Sequence, residues 1–336
     1  MAQKSEEARP RKAHTATDPL AYHRDLAGVT DPSLAFDPEK DAVAWQAELR
    51  GKLREILAVP EIGPRDMTVT TEPASEEDGF RRQRIVFQAE PGADVPAYLL
   101  TPREGKAPFP VMICLQGHAQ AGMELSLTPG ARGGRDFALA AVRNGWAALA
   151  VEQRCFGERA GDCTREALHA LMLGRTLTGE RVFDIMRAID FIATRPELDS
   201  DRIGCMGNST GGTVTFYAAC LDERIRLAVV SCSYCAYAES WLKHKHCACG
   251  YLPGILQVAD MGDLGGLVAP RHLVIVAGRH DSIATLSGVE SAFAQTQAAF
   301  TALDVPDHTE LLVGDGGHDF YPELAWPRIT EIRDSW

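Results

Sequence analysis

The five residues Gly207-Asn208-Ser209-Thr210-Gly211 set a hydroxyl between glycines, a pattern whose chemistry is nucleophilic attack on a carbonyl. Read alone the pattern is weak, and its neighbours give it weight. Asp201-Arg202 leads into an apolar run at 203–206, and Gly212, Val214, Phe216, Tyr217 and Ala218 open a helical pattern just after the serine. Ser209 is therefore expected on a sharp strand-to-helix turn, where side chains in place of Gly207 and Gly211 would collide with neighbouring backbone. A helix starting there aims backbone N–H groups at the reacting centre, which makes the Thr210 N–H an expected oxyanion donor.

A serine hydroxyl is weakly nucleophilic at neutral pH. It needs an imidazole base, and the imidazole needs a carboxylate to fix its tautomer and stabilise its cation. On a strand–turn–helix nucleophile the acid and then the base follow the serine along the chain. Asp281, in Gly278-Arg279-His280-Asp281, comes directly after the apolar run 273–277, and His318, in Asp315-Gly316-Gly317-His318-Asp319-Phe320, follows the last apolar run at 310–313. They are the expected acid and base. Asp307, Asp315 and Asp319 compete for the first role and His280 and His308 for the second, and each reads more simply as a polar loop residue. The loop Gln116-Gly117-His118-Ala119-Gln120 after an earlier apolar run supplies a second oxyanion donor, assigned to the His118 N–H with Ala119 as the alternative. Gln116 and Gly117 are expected to line the substrate pocket.

The elements that must position these residues are legible as alternating strands and helices. Residues 38–58 place Trp45, Leu49, Leu53, Ile56 and Leu57 at helical spacing, closed by Pro60. Short alternating runs at 67–70, 83–87 and 95–100 predict antiparallel strands. Apolar runs at 111–115, 146–151, 203–206, 227–230 and 273–277 then alternate with helical patterns at 182–194, 213–221 and 289–303. Near-continuous apolar strands between helices predict an α/β fold: a mostly parallel central sheet, covered by helices on both faces, with antiparallel strands at its beginning. The active residues then meet at the C-terminal edge of that sheet.

These stretches resemble bacterial α/β-hydrolases of the dienelactone-hydrolase-like and acetyl-xylan-esterase-like kind, over roughly residues 45–320. The resemblance is carried by Glu152-Gln153-Arg154-Cys155-Phe156-Gly157-Glu158-Arg159, by Asp201-Arg202-Ile203-Gly204 before the serine, by 246–254 and by 263–271. It implies an α/β-hydrolase fold and a carboxylesterase site at Ser209, Asp281 and His318. Glu152 stands where such segments usually carry Asp, and Asn208 and Thr210 replace the small or aromatic residues common beside the serine.

Composition bounds the rest. With 45% apolar and 24% charged residues over 336 positions, the chain can bury a large core, and it is read as one domain at 18–336 behind a flexible arm at 1–17, with pocket-forming insertions at 153–178 and 236–262. The net charge of -12 argues against nucleic acid as a partner, and Arg81-Arg82-Gln83-Arg84 reads as edge-strand charge. No segment approaches the length of a membrane span, the start lacks an apolar leader, and nine scattered cysteines suit reduced core thiols, so a cytoplasmic location with no membrane partner is expected. The N-terminal arm and helix have two options, packing on the core or exchange within a homo-oligomer.

Three features invite other readings. His244-Lys245-His246-Cys247-Ala248-Cys249 has zinc-ligand types, but neighbours one residue apart diverge in extended chain and no second ligand pair is apparent, so neither metal nor cofactor is expected. A pocket wall of Tyr234, Trp241, His246 and Tyr251 is the preferred reading. Arg154, Glu158 and Arg159 either orient a polar substrate or pair with the helix that follows, and Cys155 beside two arginines has the setting of a lowered thiol pKa. The expected substrate is a small-molecule or carbohydrate ester. Amidase, peptidase or dienelactone-type hydrolysis, and a non-catalytic binding role, are the alternatives.

Overall fold

Strands with no polar face need cover on both sides, and the computed structural model, which describes residues 18–61 and 67–336, shows how this chain supplies it. The expected arm at 1–17 lies outside the described residues. Ten strands form one sheet: β1 (Val69–Thr71), β2 (Ser75–Glu76), β3 (Phe80–Glu90), β4 (Ala93–Pro102), β5 (Phe109–Leu115), β6 (Ala147–Val151), β7 (Leu198–Asn208), β8 (Ile225–Ser231), β9 (His272–Gly278) and β10 (Thr309–Gly314). Their spatial order is β1-β3-β4-β6-β5-β7-β8-β9-β10, with β2 paired to β3. Strands β1 to β4 pair antiparallel and β4 meets β6 antiparallel, whereas β6, β5, β7, β8, β9 and β10 run parallel to one another. Every residue of β5 and β6 is buried, as their unbroken apolar sequences require.

Nine helices are present among the described residues: α1 (Pro19–Gly28), α2 (Ala42–Leu57), α3 (Phe137–Arg143), α4 (Cys163–Met172), α5 (Leu177–Ala193), α6 (Thr210–Leu221), α7 (Met261–Gly265), α8 (Leu286–Ala302) and α9 (Pro322–Asp334). One face of the sheet packs with α2, α5, α6 and α8 through Leu49, Leu53, Val182, Ile189, Phe216 and Phe300. The other packs with α3 and α9 through Phe137, Val142, Trp326 and Ile329. The predicted helix at 38–58 forms four residues later, at α2, because Asp41 accepts hydrogen bonds from the Val43 and Ala44 N–H groups and so caps it. Helix α1 has no buried residue and hence no apolar face for periodicity to reveal. No helix among the described residues is long and apolar enough to cross a membrane.

His272, at the start of β9, faces His308 with ring centroids 4.2 Å apart. Burial first, then the nearby charges of His308, Arg328 and Arg226, lower its pKa from 6.5 to about 4. Between those values the unfolded chain binds the extra proton and the folded one does not, so stability is retained above about pH 6.5 and lost as pH falls towards 4. His272→Phe, which keeps the ring, is expected to flatten that acid limb in urea unfolding curves recorded from pH 7 to 4. A slope equal to the parent's would refute the assignment.

Candidate active site

Parallel strands deliver their following loops to one edge, and here that edge receives residues 116–120 after β5, 152–159 after β6, Ser209 after β7, Cys232 and Ser233 after β8, Asp281 after β9 and His318 after β10. Ser209 has φ 55 and ψ −123, a conformation an L-residue holds only when its surroundings impose it. The restraints are visible: its N–H donates to the Ser231 carbonyl at 2.8 Å, and its carbonyl accepts from the Thr213 N–H at 2.9 Å in the first turn of α6. A methyl on Gly207 would lie 2.4 Å from the Gly211 carbonyl carbon, and one on Gly211 would lie 2.4 Å from the Leu115 carbonyl oxygen. Glycine is required at both, and β5 thereby approaches the serine turn at backbone distance.

Asp281 is fully enclosed, its side chain 1% exposed, while the His318 imidazole reaches the surface of a cavity it shares with Ser209. His318 Nδ1 stands 2.7 Å from Asp281 Oδ2, and Asp281 Oδ1 accepts from the Ile283 and Ala284 N–H groups at 2.8 and 3.2 Å. Burial by itself would raise the Asp281 pKa, but the His318 hydrogen bond and the two N–H donors outweigh it and hold the carboxylate below its ordinary range. Arg135 fixes the loop from behind, donating to the His318 carbonyl at 2.5 Å and to Asp319 at 3.1 Å. Three of the competing residues are engaged elsewhere: Asp319 with Arg135, Asp315 with Arg279, and His308 Nδ1 with the Pro270 carbonyl.

The structure brings His118, Ser209, Thr210, Trp241, His246 and His318 to one cavity. Trp241 and His246 stack at 4.0 Å, and burial lowers the His246 pKa. Gly117 packs beneath the serine, where a methyl would lie 3.4 Å from Ser209 Cβ. Five other residues expected at the substrate or in its pocket wall are elsewhere. Tyr234 is buried in the core, its hydroxyl bonded to Thr296 and to the Ala292 carbonyl, because its ring packs between α6 and α8. Gln116 is wholly buried, donating to Glu152 at 3.3 Å, while its carbonyl accepts from Gln153 at 2.6 Å. Tyr251 stands edge-on to Trp241 and faces a second hollow bordered by His23 and Leu26 of α1. Glu158 pairs with Arg84 of β3 at 2.5 Å. Arg154 is consumed by carboxylates, binding Asp184 through two nitrogens at 3.0 and 2.9 Å, Glu180 at 2.8 Å and Glu90 at 3.1 Å. The loop after β6 brings Arg154 and Glu158 near the site, but their side chains turn away because carboxylates hold Arg154 and Arg84 holds Glu158.

Several residues of the cavity were not anticipated. Cys232 and Ser233 follow β8, and the same strand-end rule that found Asp281 applies to them. Arg181 and Lys245 gave no such signal, one lying inside a helical pattern and the other in a loop. Cys155 departs from expectation: its thiol pKa is raised, first by a hydrogen bond with Cys163 and then by burial. All nine cysteines are free. Cys163, Cys247, Cys249 and His118 nevertheless converge, with one ligand-capable atom from each lying within 4.8 Å of the others. The sequence argument against a metal rested on the lack of further ligands beside 247–249, and the fold brings two.

A sheet of this order, with a strained serine after its central parallel strand, defines an α/β-hydrolase fold. The chain belongs to the Abhydrolase family, whose model matches residues 21–236. It is 24% identical over 288 residues to YtaP of Bacillus subtilis (strain 168), a protein named as a hydrolase, covering 81% of this chain and 94% of that one. Among solved structures it is similar to a Bacteroides fragilis NCTC 9343 protein described as an acetyl xylan esterase, with a TM-score of 0.77 and 18% identity over 95% of this chain and 85% of that one. It is also similar to a glucuronoyl esterase from Solibacter usitatus, with a TM-score of 0.68 and 12% identity over 91% and 97% of the two chains.

The Arg154 cluster yields a stability test. Removing the guanidinium leaves Asp184, Glu180 and Glu90, which are 2%, 14% and 14% exposed, facing one another with less positive charge among them. Arg154→Met is expected to cost about 3–5 kcal/mol in denaturant unfolding, the range for breaking one partner of a buried pair. A loss within experimental error of zero would contradict the role.

Proposed function

We propose that this protein is a serine carboxylesterase in which Ser209 is the nucleophile, His318 the general base and acid, and Asp281 the carboxylate that orients His318. One observation carries the reading: a serine held at φ 55 on a strand-to-helix turn shares its cavity with an imidazole whose far nitrogen is hydrogen-bonded to a buried carboxylate at 2.7 Å. That arrangement supports proton removal from Ser209 by His318 Nε2 as the hydroxyl oxygen bonds to the ester carbonyl carbon. The carbonyl oxygen becomes an oxyanion held by the N–H groups of Thr210, at the start of α6, and of His118. Collapse breaks the bond to the alcohol oxygen, which takes the proton from His318 and leaves an acyl-serine. Water, activated by His318, then attacks the acyl carbon and returns Ser209 with release of the acid.

The cavity favours a small acyl group and a polar alcohol. Val214, Cys232, Ile283 and Ala284 give it apolar lining, while Trp241, Lys245 and His246 offer a ring face and polar groups. An aromatic face with hydrogen-bonding neighbours suits a sugar, and the structural neighbours named as acetyl xylan and glucuronoyl esterases support a carbohydrate ester on the same scaffold. An acetylated sugar or small alcohol is thus the proposed substrate, and a cytosolic monomer or homo-oligomer equally accommodates it.

The purified protein is expected to hydrolyse 4-nitrophenyl acetate faster than longer acyl esters. Ser209→Ala should lower kcat by at least about a thousandfold and abolish labelling by a fluorophosphonate, and Asp281→Asn should lower kcat by roughly 10³–10⁴-fold with KM little changed. Undiminished turnover in Ser209→Ala would sink the assignment.

A further inference from the structure

We propose that Cys163, Cys247, Cys249 and an imidazole nitrogen of His118 bind one zinc ion in the wall of the serine pocket. The four ligand-capable atoms already lie within 4.8 Å of one another. In a tetrahedral site with Zn–S bonds of about 2.3 Å and a Zn–N bond of about 2.0 Å, ligand atoms stand roughly 3.6–3.8 Å apart, so shifts of an ångström or less complete the site. Three sulfurs and one imidazole are a thiophilic set that selects zinc over magnesium or calcium. Four protein ligands leave no open position, so this ion is structural and takes no part in ester hydrolysis.

The second observation is Arg181. Its guanidinium is 1% exposed, lies 4.8 Å from the centre of the Phe156 ring and donates to the Arg154 carbonyl at 2.7 Å. Its remaining donors point at sulfur, with Nη1 3.3 Å from Cys249 Sγ and Nη2 3.2 Å from Cys163 Sγ. Among the described residues no carboxylate pairs with it, and a buried cation without a counter-charge is costly. Zinc with three thiolates and a neutral imidazole carries one net negative charge, which Arg181 cancels. Cys163 is also the first residue of α4, where the helix N-terminus favours a thiolate. Zinc binding releases the remaining thiol protons to solvent.

The ligands come from three segments that are otherwise far apart: the loop after β5, the start of α4 and the loop at 247–249. The ion would fasten both pocket insertions to the loop that carries the His118 N–H. The ion itself makes and breaks no bond in the reaction proposed at Ser209.

The test uses the full-length reduced chain, incubated with zinc and freed of excess by gel filtration. About one zinc per chain is expected, and Co(II) in its place should show a thiolate-to-metal charge-transfer band and intense tetrahedral d–d bands. Cys163→Ser and Cys247→Ser should each weaken zinc binding at least about tenfold, as should Arg181→Met. Failure of the reduced chain to retain zinc, or a weak octahedral cobalt spectrum without thiolate bands, overturns the proposal. Equal zinc content in the parent and both cysteine variants also overturns it. The cobalt spectrum is read on the unaltered chain, so a variant that fails to fold does not decide the matter. Esterase turnover is no part of the readout, and loss of either reading leaves the other standing.

Discussion

The approach of the β7–α6 turn to the end of β5 is the constraint on which the rest of the molecule depends. With Gly211 pressed against the Leu115 and Gln116 carbonyls, β5 and β7 must be adjacent and parallel, and their register from Val111 with Ile203 to Leu115 with Gly207 secures this. The same approach places Gly117 and His118 beside Ser209. The loop after β5 is held from behind by Glu152, a buried carboxylate that accepts from Gln116 Nε2 at 3.3 Å and from the Met123 and Glu158 N–H groups at 3.0 and 3.3 Å. Burial raises its pKa, and the Met123 and Glu158 N–H groups compensate only in part. The Glu152 side chain thus reaches across two loops.

Helix α5 anchors both walls of the pocket by charge. Glu180 and Asp184, one turn apart, receive Arg154 and so fix the loop after β6, while Arg181 faces away from them towards the thiols. The link between the two sets is direct, since Arg181 donates to the Arg154 carbonyl at 3.2 and 2.7 Å. Arg159 joins Asp184 at 2.7 Å, and Arg175 joins Glu90 at 2.6 Å. A network of this extent restrains the loop more firmly than isolated surface pairs would, because its members are half-buried, Asp184 fully so, and several are shared.

Periodicity and strand-end position made the core strands, the helices behind them and the residues Ser209, Asp281 and His318 legible, because each signal is local: an apolar run, a turn and the residue that follows. What sequence did not reveal depends on encounters between distant segments. Arg154 and Glu158 share a loop next to the site, yet their side chains follow Asp184 and Arg84, partners no local pattern could select. Cys163 lies more than eighty positions before Cys247, so no local pattern in the sequence announces that the two meet. Helix α1 escaped notice because it buries no residue and carries no apolar stripe.

The field inside the pocket follows from these placements. The chain as a whole is acidic, but the cavity around Ser209 presents Lys245, Arg181 and three histidines, and the one carboxylate behind it, Asp281, is already engaged by His318 and two N–H groups. In the proposed mechanism, negative charge developing on a tetrahedral oxyanion would therefore meet fixed donors and not repulsion. Arg181 contributes to that field only while its charge is unbalanced. A zinc–thiolate group carrying one negative charge would cancel it and leave the Thr210 and His118 N–H groups, with Lys245 at the rim, as the source of stabilisation. The wall would then be electrically neutral where it is rigid.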